Sequence, residues 1–252
     1  MLSCRNVVKS YSGKVALNNI SLSVPNGSLM SVIGPNGAGK STLLGILSRL
    51  TACDSGAVEL DDKNILQWKR GELSKTLAVM TQRKSFQSHI TVHDFVSFAR
   101  FPYSRNHLTA HDRAAIDSAM EQAGVQTLRS AYIDELSGGQ QQLAHIALVL
   151  AQETDYVLLD EPTANLDIAH SLRVMRLLRR LCDEQCKTIV LALHELPYAA
   201  FFSDYVCAIR NGRIEQCGAP RQVMTQEMLS QLYGVEFELV AQSDKAIPFA
   251  RL

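Results

Sequence analysis

Nine consecutive residues, Gly34-Pro35-Asn36-Gly37-Ala38-Gly39-Lys40-Ser41-Thr42, announce chemistry most plainly. They fit G-x-x-x-x-G-K-[ST], the pattern of a loop that wraps phosphates. Glycines let such a loop fold back until its backbone N–H groups point inward at phosphate oxygens. The positive end of the helix that follows adds to the same field. Lys40 is then expected to reach the β- and γ-phosphates, and the Ser41 hydroxyl to ligate Mg²⁺. The ordinary alternative is a Gly-rich turn beside a surface lysine. With every fixed position present, the loop reads as a nucleoside triphosphate site.

Three further stretches carry groups of the matching kind. Tyr156-Val157-Leu158-Leu159 is an apolar run that ends in Asp160-Glu161. An Asp at such a strand end holds Mg²⁺ in phosphate-loop enzymes, and a carboxylate beside it can orient or deprotonate water. Thr188 to Leu193 is a second apolar run, and it ends at His194-Glu195. Ligands bind at the carboxyl ends of parallel strands, which turns His194 from a structural histidine into a candidate. Leu136-Ser137-Gly138-Gly139-Gln140 precedes a helix with Ser and two glycines, so it is a second anion-binding helix start. One site does not need two, unless each closes over a nucleotide held by another subunit.

These groups need a scaffold of strands. Leu29 to Ile33 reads as a buried strand into the phosphate loop, and Leu43, Leu44, Ile46, Leu47 and Leu50 give the next helix its stripe. Leu2 to Val8, Ser21 to Val24, Gly56 to Leu60 and Leu77 to Met80 read as further strands. From there the texture becomes helical. Thr91 and Thr109 each start a cap pattern, Val92, Phe95, Val96 and Ala99 form one stripe, Ala115 to Ala123 another, and Gly124 stops it. We therefore expect an α/β core over 1–82 and 152–252, with a helical lobe inserted over 83–151. After the helix Ile168 to Cys182 come a hairpin turning at Asn211-Gly212 and short helices at Pro220 to Met224 and Glu227 to Tyr233.

Bulk properties narrow the field. The 252 residues are 46% hydrophobic and 20% charged, with 25 basic and 25 acidic side chains, so the balance gives no sign of nucleic-acid binding. No signal pattern and no run of membrane-span length is expected. The six cysteines (Cys4, Cys53, Cys182, Cys186, Cys207, Cys217) lack a paired framework and read as reduced thiols. The His89/His93 and His107/His111 pairs lack further ligands at metal spacing, and no structural metal is expected.

Taken together, the motifs resemble the ATP-binding cassette (ABC) transporter ATPase family over nearly the full chain. The phosphate loop, Gln82, Leu136 to Gln140, Asp160-Glu161, Ala164-Asn165-Leu166-Asp167 and His194 occur once each, in the family's order. The resemblance implies a P-loop NTPase of the ABC ATPase type, α/β, with an inserted α-helical lobe and N-terminal antiparallel β strands. It implies that Tyr11 stacks on adenine; from the residues alone, Tyr11 serves equally well to cap a sheet edge. It implies that Lys40, Ser41 and Thr42 bind phosphates and Mg²⁺, that Gln82 contacts the metal and the attacking water, and that Asp160 supports Mg²⁺. Glu161 is implied as general base and His194 as the contact to the γ-phosphate. Ser137 and Gly139 would meet the γ-phosphate of the opposite subunit, with Asp167 at that interface, in a head-to-tail dimer. Departures from the common pattern are Gln141-Gln142-Leu143, Glu195 and Asn165; the first raises a question about interface electrostatics.

Within the family, Ala99 to Tyr103, Leu150 to Glu153 and Asp167 to His170 are similar to the ATPases of bacterial iron(III)-siderophore importers, with haem and cobalamin importers sharing much of the pattern. That likeness implies ATP and Mg²⁺ as cofactors and integral-membrane permease subunits as partners. A periplasmic or lipid-anchored binding protein is implied indirectly, no nucleic acid is expected, and the place is peripheral on the cytoplasmic face of the inner membrane. Phe86, Phe101 and Tyr103 are either permease contacts or core residues of the lobe. A DNA-repair or translation ABC ATPase would bring two cassettes or a coiled-coil insertion, and a P-loop kinase would not need Leu136 to Gln140.

Overall fold

A computed structural model of the chain describes residues 1–81, 89–104, 107–242 and 245–251. Strand β1 (Leu2–Tyr11) turns at Ser12-Gly13, both at positive φ, into β2 (Lys14–Val24). β2 thus begins seven residues before the expected Ser21. Asn19 at φ 58 and the register shifts along the β1–β2 pair mark bulges, which break the period-2 pattern that a sequence reading relies on. β3 (Leu29–Ile33) leads through the phosphate loop into α1 (Lys40–Leu47). β4 (Ser55–Leu60) and β5 (Lys63–Asn64) complete an antiparallel sheet in the order β2-β1-β4-β5.

Next comes α2 (Arg70–Thr76), which sequence reasoning missed because Leu73 is its one buried side chain and no stripe betrays it. β6 (Leu77–Met80) follows. The helical stretch then holds α3 (Val92–Ser97), α4 (Phe101–Ser104), α5 (Ala110–Ala123) and α6 (Gly138–Ala151). Thr109 and Asp112 form a capping box at the start of α5, and Gly124 at φ 75 ends it. β7 (Tyr156–Asp160), α7 (Ile168–Gln185), β8 (Thr188–Ala192), α8 (Leu196–Phe202), β9 (Tyr205–Arg210) and β10 (Arg213–Gly218) continue the α/β pattern. The chain finishes with α9 (Pro220–Val223), α10 (Gln226–Tyr233) and a hairpin of β11 (Phe237–Gln242) and β12 (Lys245–Ala250). That hairpin, too, was not anticipated.

The second sheet runs β10-β9-β3-β8-β7-β6, parallel except for β10 at its edge. Its inner strands bury both faces, as parallel strands covered on two sides must. Leu29 and Ile33, Val157 and Leu159, Ile189 and Leu191 point to the core shared with α3, α5, α6 and α7. Met30 and Val32, Tyr156 and Leu158, Val190 and Ala192 point to the core shared with α1 and the first sheet. Each such large apolar side chain contributes about 1.5–3 kcal/mol of burial. α1 is therefore clamped between two sheets, with Leu43, Leu44, Ile46 and Leu47 all buried. The loop that precedes it is held by the same clamp.

Candidate functional site

Three neighbouring strands, β3, β8 and β7, deliver the site at their carboxyl ends. The register does the positioning. β7 and β8 pair in parallel up to Asp160 opposite Ala192, and the Glu161 N–H then donates to the Ala192 carbonyl at 3.1 Å. Leu193 N–H donates to the Val32 carbonyl at 3.1 Å, which ties the end of β8 to the strand that feeds the phosphate loop. One residue further, His194 Nε2 lies 2.6 Å from Glu161 Oε1. Glu161 itself sits at φ 52, where a side chain is uncommon, so the strand end is bent sharply to present the carboxylate.

The phosphate loop is a cradle of backbone. A Cβ on Gly34, at φ 150, would stand 2.0 Å from the Ile209 carbonyl oxygen, and one on Gly39, at φ 110, would stand 2.7 Å from the Ala16 carbonyl oxygen. Only glycine fits at either place. Lys40 is buried, with Nζ donating to the carbonyls of Gly34 at 2.7 Å and Pro35 at 3.2 Å. Burial lowers its pKa, while the nearby Glu161 and Asp160 charges pull it back up; the net direction is down. Gly34 N–H also donates to the Tyr233 hydroxyl at 3.1 Å, so α10 backs the loop from behind.

Asn36 to Thr42, Glu161 and His194 line one cleft of about 410 Å³. Such a cleft, with inward N–H groups, a buried ammonium and the start of α1, suits a polyphosphate. Asp160 is buried at the end of β7, and the Ser41 hydroxyl stands at the first turn of α1. A hydroxyl and a carboxylate are hard oxygen donors of the type Mg²⁺ takes, so the residues present fit that ion.

Other expected residues stand elsewhere. Tyr11 is 49% exposed at the end of β1, with Lys9 Nζ 5.3 Å from its ring centroid, and it does not line the cleft. Ser137, Gly138, Gly139, Gln140 and Asp167 do not line the cleft either. Ser137 caps α6: its Oγ accepts from Gln140 N–H at 3.3 Å, and Gln140 Oε1 accepts from Ser137 N–H at 3.0 Å. A Cβ on Gly139 would lie 3.0 Å from the Asn165 carbonyl oxygen, so the start of α6 packs tightly on the Asn165-Leu166 loop. Asp167 caps α7 through His170 N–H at 2.7 Å, and that bond holds its carboxyl below the usual range. Gln82 and Phe86 lie outside the described residues.

Three residues that sequence reasoning treated as departures have work. Gln142 Nε2 donates to the Glu161 carbonyl at 2.9 Å, which joins α6 to the carboxylate-bearing turn. Leu143 is buried in the core, and Glu195 accepts from Thr163 Oγ1 at 3.1 Å. Phe101 is 58% exposed and Tyr103 36% exposed, so neither is core; Phe98, not singled out before, is 57% exposed beside them. Behind them Arg100, 2% exposed, bonds Asp112 at 2.7 Å, Glu153 at 2.7 Å and the Ala151 carbonyl at 2.9 Å.

A family profile described as "ABC transporter" matches residues 17–164. "Petrobactin import ATP-binding protein YclP" of Bacillus subtilis (strain 168) is 44% identical over 233 residues, covering 92% of this chain and 92% of that protein. "Iron(3+)-hydroxamate import ATP-binding protein FhuC" of the same organism is 39% identical, covering 95% and 90%. A solved structure described as "Dimeric Structure of MJ0796, a Bacterial ABC Transporter Cassette" superposes with a TM-score of 0.80 at 29% identity, covering 88% of this chain and 99% of that one.

Proposed function

This chain belongs to the ABC transporter family, and on that premise we propose that it is the ATP-hydrolysing subunit of a bacterial importer of iron(III)-siderophores. The observation that carries the proposal is the Glu161–His194 pair at the mouth of a cleft floored by the buried Lys40, at the ends of three parallel strands. Its substrate class rests on the names of its relatives, petrobactin and iron(3+)-hydroxamate importers.

In this reading the loop from Gly34 to Thr42 binds the phosphates, and Lys40 leaves its two carbonyl partners to meet them. Ser41, Asp160 and Gln82 would hold Mg²⁺, which would supply positive charge to the phosphate oxygens. Glu161 takes the proton of the attacking water, and His194 contacts the γ-phosphate and positions the Glu161 carboxylate. Tyr11 offers its exposed face to the base. Ser137 to Gln140 and Asp167 serve the phosphate loop of a second copy, a division of labour supported by their absence from the lining of the chain's own cleft. The working unit is thus a head-to-tail pair with two composite sites, in line with the dimeric cassette it superposes on.

Among the described residues no helix is long and apolar enough to cross a membrane, so force reaches the membrane through permease subunits. The chain acts peripherally, at the cytoplasmic face of the inner membrane. The lobe over 83–151 is the proposed docking body, with Phe98, Phe101 and Tyr103 as apolar contacts. ATP favours the closed pair, hydrolysis reopens it, and the permease follows; a periplasmic or lipid-anchored protein delivers the substrate. Uptake of labelled ferric siderophore in a deletion strain tests the reading. Wild-type chain should restore uptake and Lys40→Ala should not. Intact siderophore uptake with loss of haem or cobalamin entry would reassign the substrate.

A further inference from the structure

Cys207 on β9 and Cys217 on β10 stand directly opposite each other in the antiparallel register. Such neighbours have Cα atoms about 4.5–5.5 Å apart, inside the window of about 4.4–6.8 Å that a disulfide spans. Facing residues of an antiparallel pair send their side chains to the same face of the sheet, so the two thiols are direct neighbours. Their exposure is asymmetric: Cys207 is fully buried and Cys217 is exposed on the edge strand. The neighbouring Cys207 thiol holds the Cys217 thiol below the ordinary cysteine range, while Cys207 is pushed up by its neighbour and by burial. Thiolate character therefore collects on the accessible partner.

The hairpin that carries this pair abuts the phosphate loop. Its tip is Asn211-Gly212, both at positive φ, and Gly212 N–H donates to the Ala38 carbonyl at 3.0 Å. The Gly212 carbonyl accepts from Asn18 N–H at 2.7 Å, and the Ile209 carbonyl fills the space where Gly34 can have no side chain. A change of spacing between β9 and β10 is passed to Ala38 and Gly34 through close-packed backbone.

We propose that Cys217 and Cys207 are a redox modification site: hydrogen peroxide oxidises the pair to a cross-strand disulfide, and this weakens nucleotide binding through the hairpin tip. The Cys217 thiolate attacks a peroxide oxygen, the O–O bond breaks, and the departing hydroxide is protonated to water, leaving a sulfenic acid. Cys207 sulfur then attacks Cys217 sulfur, the S–O bond breaks, and a second water leaves with the Cys207 proton. The two sulfurs lose two electrons and the peroxide gains them. A dithiol returns the pair to thiols by exchange.

The chemistry of the linkage stands apart from the function proposed above; only the nucleotide readout rests on it. The full chain is treated with hydrogen peroxide, digested with trypsin without reduction and analysed by mass. Cleavage after Lys187, Arg210, Arg213 and Arg221 puts Cys207 in peptide 188–210 and Cys217 in peptide 214–221, so the linkage is a single peptide pair. The pair should appear, and titration with a fluorescent ATP analogue should show binding weakened about fivefold or more, the low end of what coupled sites give. Dithiothreitol should reverse both. Cys217→Ser should bind the analogue normally and lose the response to peroxide. Absence of the linked pair, an unchanged affinity once it has formed, or a peroxide response that persists in Cys217→Ser would each overturn the proposal.

Discussion

His194 Nε2 stands 2.6 Å from Glu161 Oε1, a contact between residues 33 apart in sequence that exists because β7 and β8 pair in register to their last residues. The histidine holds one carboxylate oxygen and so orients the group. Glu161→Gln keeps the shape and cannot accept a proton, so ATP affinity should be retained while turnover falls by about 10²–10⁴-fold, the usual worth of a general base. Nucleotide titration beside a steady-state ATPase assay checks it. Near-normal turnover would remove Glu161 from the base role.

Lys40→Ala should lose binding and hydrolysis together, since the ammonium is the buried positive charge at the floor of the cleft. The same titration distinguishes it from Glu161→Gln. Tight ATP binding by Lys40→Ala would contradict the reading.

Gly34→Ala tests the cradle. Its Cβ would meet the Ile209 carbonyl oxygen at 2.0 Å, at a φ of 150 that side chains rarely adopt. Either the loop or β9 must shift, so the fluorescent-analogue signal should disappear while circular dichroism at ambient temperature stays close to wild type. Unimpaired binding would mean that the loop relaxes at little cost.

The composite site predicts complementation. Lys40→Ala and Ser137→Ala are each deficient, yet in a mixed pair one phosphate loop and one α6 start are both intact. ATPase activity of the mixture should exceed that of either variant alone. Glu161→Gln protein should pair with ATP and separate with ADP in light scattering. Mixing that merely averages the two activities would place the whole site within one chain.

Arg100 and Asp112 form an ion pair whose side chains are 2% and 3% exposed. Removing one partner strands the other charge, so Arg100→Ala should cost about 3–5 kcal/mol in denaturant unfolding. Burial pushes the Asp112 carboxyl up, but bonds from Thr109 and Arg100 outweigh it and hold it well below the ordinary range. A depressed folded pKa means that this stabilisation is present above the unfolded carboxylate pKa, near 4, and is lost as pH falls below it. Acid unfolding of Asp112→Asn should accordingly lose part of the wild-type slope below about pH 4. An unchanged slope would assign the acid sensitivity to other carboxylates.

What the sequence determined by itself was local or strictly ordered along the chain. The loop from Gly34 to Thr42, the capping box at Thr109, the stop at Gly124, the Asn211-Gly212 turn and the strand ending in Asp160-Glu161 are legible because glycine, capping side chains and unbroken apolar runs act on their immediate neighbours. The motif order carried the family for the same reason. Elements whose signal is weak in one dimension stayed hidden: α2 buries a single side chain, and the bulges at Asn19 scramble the alternation of β2. Tertiary structure alone decided what depends on register and packing between distant segments. It set His194 on Glu161, gave Gln142 the Glu161 carbonyl, took Leu143 into the core, left Phe98, Phe101 and Tyr103 exposed and faced Cys207 with Cys217. A side chain's type states what it can bind, but its partner is chosen by which strand lies beside which and by how far each runs, and those choices are made by the shared cores on the two faces of the central sheet.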